Sequence, residues 1–179
     1  MAQPVVVVTD VQERLFGAMD AERRDDMIRN LKILLTAARR LATPIVVTEQ
    51  YPKGLGRTLP ELRVLLLDQA PVIEKTSFSA CGAPEFVERL SNLGAEPIIL
   101  TGVEAHVCVL LTALDLLGMG RRVWIVADAV CSRRAATMDI GLAQARQAGA
   151  IVTSTETVVF QLLGRSDTEA FREVAKLLR

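Results

Sequence analysis

Residues 97–117 read PIILTGVEAHVCVLLTALDLL. A short apolar run, Pro97–Thr101, passes through Gly102 into His106–Leu117, an apolar-rich segment of helical length. Strand, turn and helix in that order form the repeating unit of an α/β sheet, and the chain repeats it. Further runs lie at Pro4–Thr9 (PVVVVT), Pro44–Thr48 (PIVVT), Pro71–Glu74 (PVIE), Val123–Ala127 (VWIVA) and Ile151–Thr153 (IVT). They are continuously apolar rather than alternating, the pattern of strands buried on both faces of a parallel sheet. Glu22–Leu41, Pro84–Leu93 and Ser132–Gln147 carry helical period between them, and Thr168–Leu178 reads as a last helix. In the first, Ile28, Leu31, Leu34 and Leu35 make one stripe on a helix. This alternation predicts βαβ units and a doubly wound sheet covered by helices. Gly94, Gly118, Gly120 and Gly149 follow helical stretches, where a left-handed residue is suited to stopping them. Only Glu49–Leu62 (EQYPKGLGRTLPEL) breaks the rhythm, and its Pro and Gly residues predict a loop. No linker or repeat interrupts residues 1–179, which read as one domain.

Composition narrows the function. The 21 basic and 21 acidic residues cancel, leaving no electrostatic footprint for nucleic acid or an anionic membrane surface. The single histidine, His106, excludes a two-histidine metal site within one chain. Cys81, Cys108 and Cys131 are widely spaced without a CxxC pair, which argues against a disulfide framework or a zinc site. A reducing cytoplasm is the expected compartment. The N-terminal apolar run stops at Val8 with no basic segment before it, so no targeting signal or membrane span is expected.

Ligands of open α/β sheets bind beyond the carboxyl ends of the strands. At those ends stand Asp10, Lys75 and, near the start of a helix, Cys108. A thiol acts as a nucleophile in its thiolate form, which a helix N-terminus and a nearby ammonium both favour. Asp10 can take the thiol proton and return it to a leaving amine, while Lys75 holds the two anions together. Backbone N–H groups of the Val103–Cys108 turn could form an oxyanion hole. Each residue also has an ordinary reading: a loop anchor or cap for Asp10, a solvated strand end for Lys75, an inert core thiol for Cys108. Gln12, Phe16, Glu49, Tyr51 and Phe78 lie on the nearest loops, where substrate contact and loop packing are both open. His106 is two residues from Cys108 and does not share its helix face, so a helix-start or interface role is expected. Ser132 reads as a helix cap and Asp128 as a loop-fixing carboxylate. Phosphatase chemistry wants an Arg six residues after Cys, where Leu114, Val87 and Thr137 stand. No GxGxxG or GxxxxGK[ST] occurs.

The blocks VVVVTDVQERL (5–15), TEQYPKGLG (48–56), EKTSFSA (74–80), ILTGVEAHVCVLLTALDLL (99–117) and VADAVCSR (126–133) follow one another in order. Together, over about residues 4 to 178, the chain resembles the isochorismatase-like cysteine hydrolases, and most of all their isochorismatase-domain-containing branch. The resemblance implies a three-layer fold with a six-stranded parallel sheet of order 3-2-1-4-5-6. It also implies a catalytic Asp-Lys-Cys triad at Asp10, Lys75 and Cys108, with a cis peptide at Val103–Glu104. Val103, Glu104 and Val107 then belong to the oxyanion turn. Nicotinamidase-like members carry a metal-binding Asp-x-His and a further His near the loop after strand two; that loop has no histidine here, so no metal or cofactor is expected. Members acting on a vinyl ether do not rely on the cysteine. The reading is therefore a metal-independent hydrolase of a small amide-like substrate through a Cys108 thioester. The alternatives are a vestigial site on an assembly protein and an ester or ether hydrolase. Family resemblance also implies a homo-oligomer built from dimers.

Overall fold

A computed structural model describes residues 3–66 and 70–178. Residues 1, 2, 67–69 and 179 of the expected 1–179 domain lie outside the described residues. The elements in chain order are β1 (Val5–Thr9), α1 (Glu13–Gly17), α2 (Ala21–Arg40), β2 (Ile45–Gln50), α3 (Pro52–Leu55), α4 (Pro60–Leu66) and β3 (Val72–Lys75). After them come α5 (Pro84–Leu93), β4 (Ile98–Val103), α6 (Leu110–Gly118), β5 (Val123–Cys131), α7 (Ala135–Gln147), β6 (Ile151–Thr153), α8 (Thr155–Leu163) and α9 (Glu169–Val174). The strands form one six-stranded sheet in the order β3-β2-β1-β4-β5-β6, every pairing parallel. This is the expected doubly wound α/β architecture.

The apolar runs become strands because both faces of the sheet are covered. Val6 and Val8 enter one core with Met27, Leu31, Leu34 and Leu35 of α2. Val5 and Val7, pointing the other way, enter a second core with Phe86 of α5 and Val109, Ala113 and Leu116 around α6. The period-2 alternation of one strand thus feeds two helical layers. Asp20 starts α2 by accepting from the Glu22 amide, and Gly94 ends α5 with φ 55°. Gly118 departs from the expectation: it is the last residue of α6, and Gly120 (φ 76°) is the left-handed residue beyond it.

Three elements differ from the sequence reading. The stretch Glu49–Leu62 holds the end of β2 and two short helices, with Pro52 and Pro60 each at the first position of one. A proline that breaks a period also fits a helix start, where its missing N–H is not needed. The fifth strand runs on to Cys131 rather than stopping at Ala127, because β4 shifts register between Leu100 and Gly102 and then pairs Gly102 with Val130 and Val103 with Cys131. The segment 155–163 forms α8, capped by the Ser154 side chain, where no helix was expected. No helix among the described residues is long and apolar enough to cross a membrane.

Candidate active site

Strand order brings the candidate residues together. In the ladder Gln50 of β2 pairs with Lys75, the last residue of β3, and Thr48 pairs with Thr9, the residue before Asp10. On its other side β1 pairs with β4, and Thr9 faces Gly102. Gly102 has φ 98°, and a Cβ there would lie 2.1 Å from the Thr9 carbonyl oxygen. Only glycine meets both demands. Beyond β4 the chain makes one π-helical turn, Ala105–Val109, which carries Cys108 into the edge where β1 and β3 end.

Asp10 and Lys75 form an ion pair of 2.8 Å with both side chains fully buried. Asp10 sits in the left-handed region (φ 51°), its amide donating to the Thr48 carbonyl at 3.1 Å. Its Oδ2 accepts from Lys75 and its Oδ1 from the Thr48 hydroxyl at 2.7 Å. Lys75 Nζ also donates to Gln50 Oε1 at 2.7 Å and to the Ser77 and Phe78 carbonyls, each at 3.1 Å. Two opposite charges that are paired and fully hydrogen-bonded can persist in the interior.

The thiol behaves differently. Cys108 is 5% exposed. Burial pushes it up to about 12, the Asp10 charge adds to the rise, and Lys75 and the Glu104 amide oppose it. The ammonium opposes the rise, as expected, but desolvation and the carboxylate outweigh it, so the thiol is favoured over the thiolate.

The turn is fixed from outside. The Val103–Glu104 peptide is cis, as the resemblance implied, and so is Glu96–Pro97. Glu104 accepts from the Arg133 amide and side chain at 3.2 and 3.0 Å. Val103 is fully buried at the end of β4. The Val107 amide donates to the Glu104 carbonyl at 3.0 Å, so this N–H is engaged within the turn rather than free for an oxyanion. His106 Nδ1 lies 2.9 Å from the Ser132 hydroxyl. Ser132 is therefore a partner of the turn, and the cap position of α7 falls to Arg134. Asp128 does fix a loop, accepting from the amide and hydroxyl of Thr155 at 2.7 and 2.9 Å.

The loop candidates separate. Gln12 is buried and clamps the chain: Oε1 accepts from the Gln50 amide, and Nε2 donates to the Gln50 and Gly56 carbonyls. Glu49 accepts from the amide and hydroxyl of Thr58 and pairs with Arg57 at 2.9 Å. Both are thus occupied in packing their own loop. Phe16 packs against the core beside α2. Tyr51 (55% exposed, φ 36°) remains open, lining with Lys53, Glu74, Lys75 and Gly82 a cavity of about 510 Å³. Phe78 is 60% exposed, and its carbonyl accepts from Lys75. A cavity of about 580 Å³ between α2, β5 and α7 contains none of these residues.

Sequence reasoning missed Thr48 and Gln50. The signal was present, because alternation along β2 puts 48 and 50 on one face and 49 on the other.

Residues 4–157 match the family model described as isochorismatase domain. The chain is 42% identical over 146 residues to isochorismatase domain-containing protein 2 of Xenopus laevis, covering 81% of this chain and 69% of the relative. It is 38% identical over 179 residues to isochorismatase domain-containing protein 1 of Danio rerio, spanning 99% of this chain but only 62% of that relative. Among solved structures it is similar to the MAR1 ribonuclease of Caenorhabditis elegans, with a TM-score of 0.91 and 41% identity over 99% of this chain and 90% of that one. It is also similar to YcaC of Pseudomonas aeruginosa with hexane-2,5-diol and covalent acrylamide, with a TM-score of 0.90 and 26% identity over 97% and 87%. The YcaC gene product of Escherichia coli, described as an octameric hydrolase of unknown specificity, has a TM-score of 0.92 and 25% identity over 99% and 87%.

Proposed function

The chain belongs to the isochorismatase family, and from that premise we propose a metal-independent cysteine hydrolase acting on an amide-like C–N bond of a small molecule. The observation that carries this reading is a buried thiol set beside a buried and saturated Asp10–Lys75 pair.

In the proposed reaction the Cys108 sulfur attacks the substrate carbonyl carbon while Asp10 takes the thiol proton. The C–S bond forms, and the carbonyl electron pair moves to oxygen. On collapse the C–N bond breaks, and Asp10 returns its proton to the departing nitrogen. Water then attacks the thioester, giving Asp10 a proton and the substrate a hydroxyl. The C–S bond breaks, the carboxylic acid leaves, and the sulfur recovers the proton. Lys75 keeps its charge throughout. Its three N–H groups already face four acceptors, so it acts as a fixed charge rather than as a donor to substrate. With the Val107 amide engaged in the turn, the backbone donor proposed for the oxyanion is the Glu104 amide beside the sulfur.

The covalent acrylamide of the Pseudomonas relative supports a nucleophile in such a site. The relative named a ribonuclease suggests another substrate; the zero net charge here speaks against a polyanionic one. We place the whole 1–179 chain in one hydrolase domain. We also place it in a reducing cytoplasm, in keeping with three free cysteines. It would be a homo-oligomer of dimers, for which half-exposed Leu111 and Leu114 on α6 are candidates.

Intact-mass measurement with iodoacetamide, comparing the protein with Cys108→Ala, tests the nucleophile. One selective adduct lost in the variant is expected; slow and equal labelling at Cys81, Cys108 and Cys131 would overturn it. The raised thiol also favours a second reading, a vestigial site on an assembly protein. An amide and imide screen without Cys108-dependent turnover would decide for that reading. Identification of the released product separates amide from ester or ether cleavage.

A further inference from the structure

We propose that Gln50 is a positioning residue for the candidate triad: its side-chain carbonyl fixes the Lys75 ammonium against Asp10, and Gln12 fixes Gln50. This inference rests on the proposed role of Cys108, because the held charge matters for the chemistry only if that sulfur reacts.

The geometry leaves the Gln50 amide one orientation. An ammonium has no acceptor, so Gln50 must present Oε1 to Lys75, at 2.7 Å; a carbonyl needs a donor, so Nε2 must face the Thr76 oxygen, at 2.9 Å. Gln50 thus bridges the ammonium to the chain that leaves β3. Its backbone is equally fixed. The Gln50 amide donates to Gln12 Oε1 at 2.7 Å, and Gln12 Nε2 donates to the Gln50 carbonyl at 2.9 Å and to Gly56 at 2.7 Å. Gln12 lies two residues after Asp10, so one glutamine pair ties the chain beyond β1 to the end of β2. The acid and the ammonium are therefore held by the same scaffold.

Without Gln50 the remaining acceptors of Lys75 are Asp10 and two backbone carbonyls at 3.1 Å. Among the described residues, the ionisable groups facing the ammonium are Asp10 and Cys108. Glu49 and Glu74 are engaged by Arg57 instead. A neutral amide at position 50 lets Lys75 give its full charge to Asp10 and the sulfur. A carboxylate there would cancel that charge and disfavour a second anion at Cys108.

Two measurements test this. The first is peptide-level mass spectrometry of iodoacetamide labelling at each cysteine as a function of pH, with Cys131 reporting general opening. Gln50→Glu is expected to move the Cys108 curve upward by about one pH unit, so that labelling on its rising limb is about tenfold slower. Cys131 labelling should stay unchanged, while the thermal midpoint should fall, because the Thr76 carbonyl loses its donor. The second is water exchange of the Lys75 Nζ protons by 15N NMR, expected to rise about tenfold in Gln50→Leu as a buried donor loses its acceptor. If Gln50→Glu does not fold, Gln12→Ala carries the exchange measurement without adding charge.

Selective Cys108 labelling in the unaltered protein with no change in Gln50→Glu would overturn the role of Gln50. Absent selectivity in the unaltered protein would sink the nucleophile reading instead, and proton exchange would still decide on Gln50: slow exchange that persists in Gln50→Leu would refute the tether.

Discussion

The two halves of the site are built differently. On the β3-β2-β1 side, Asp10 and Lys75 are fully buried, and their hydrogen-bonding groups meet Thr48, Gln50 and two backbone carbonyls. On the β4-β5 side, Cys108 stands on a π-helical turn anchored from nearer the surface by Glu104–Arg133 and His106–Ser132. One half fixes charge and the other holds a proton. A neutral pair that is completely satisfied has little left to rearrange, whereas in the proposed reaction the desolvated thiol loses its proton to the carboxylate beside it.

The largest way to break this contrast is to remove one charge. Lys75→Met leaves Asp10 buried without its cation, and stability at neutral pH should fall by about 3–5 kcal/mol in urea unfolding. The double variant Asp10→Asn/Lys75→Met should recover a large part of that loss, since no uncompensated charge remains. Equal losses in the single and double variants would show that packing of the lysine stem, not charge, holds this half.

The halves meet where β1 passes β4, and Gly102→Ala attacks that junction. The new methyl would be 2.1 Å from the Thr9 carbonyl oxygen, at a φ of 98° that side chains rarely adopt. Backbone must move, so a loss of at least about 2 kcal/mol is expected. Differential scanning calorimetry should show a lowered midpoint, and an unchanged one would mean that the strands can part there freely.

The thiol half has its own signature in alkali. Cys108 rises from 9.0 to about 12 in the fold, so between these values the unfolded chain has lost the proton and the native protein keeps it. The native state binds more protons, and stability therefore falls as pH rises through that window, by about 1.4 kcal/mol per pH unit for one such group. Cys108→Ala should flatten the decline by that amount. Cys81 and Cys131, whose thiols burial also raises, contribute to the slope left over. An identical slope with and without Cys108 would break the assignment of a protonated resting sulfur.

The contrast also separates what was legible in the sequence. Continuously apolar runs such as VVVV at 5–8 revealed the strands, because burial on both faces leaves no polar alternate. The rule that sites lie at strand ends then selected Asp10, Lys75 and Cys108, which the sheet order does assemble. Glu49 was selected at the end of β2 when its neighbours Thr48 and Gln50 face the ion pair; a charged residue drew attention that belonged to the alternation. The β5 extension to Cys131 depends on a register shift in β4, a long-range feature without local signature. That extension also displaced Ser132 from a helix cap to the His106 contact. Desolvation of Cys108 was hidden for the same reason, since it depends on the depth at which the strands and turn close over the sulfur.

The smallest expected effect gives the sharpest comparison, because it keeps the chemistry and changes the solvent. Arg133 pairs with Glu104 at 3.0 Å, close to the 2.8 Å of Lys75 with Asp10, yet the Arg133 side chain is 60% exposed. Water already solvates that guanidinium, so losing the pair returns much of what it gave. Glu104 also keeps its bond from the Arg133 backbone amide, which no side-chain substitution removes. Arg133→Gln should therefore cost no more than about 0.5 kcal/mol in urea unfolding at low salt, and the difference should shrink further in 1 M salt. The Lys75→Met loss should persist in the same salt, because ions do not reach a fully buried pair. If instead the two losses were similar in size and equally salt-sensitive, then burial would not be what distinguishes the halves, and Arg133 would have to be counted among the groups that hold Cys108 in place.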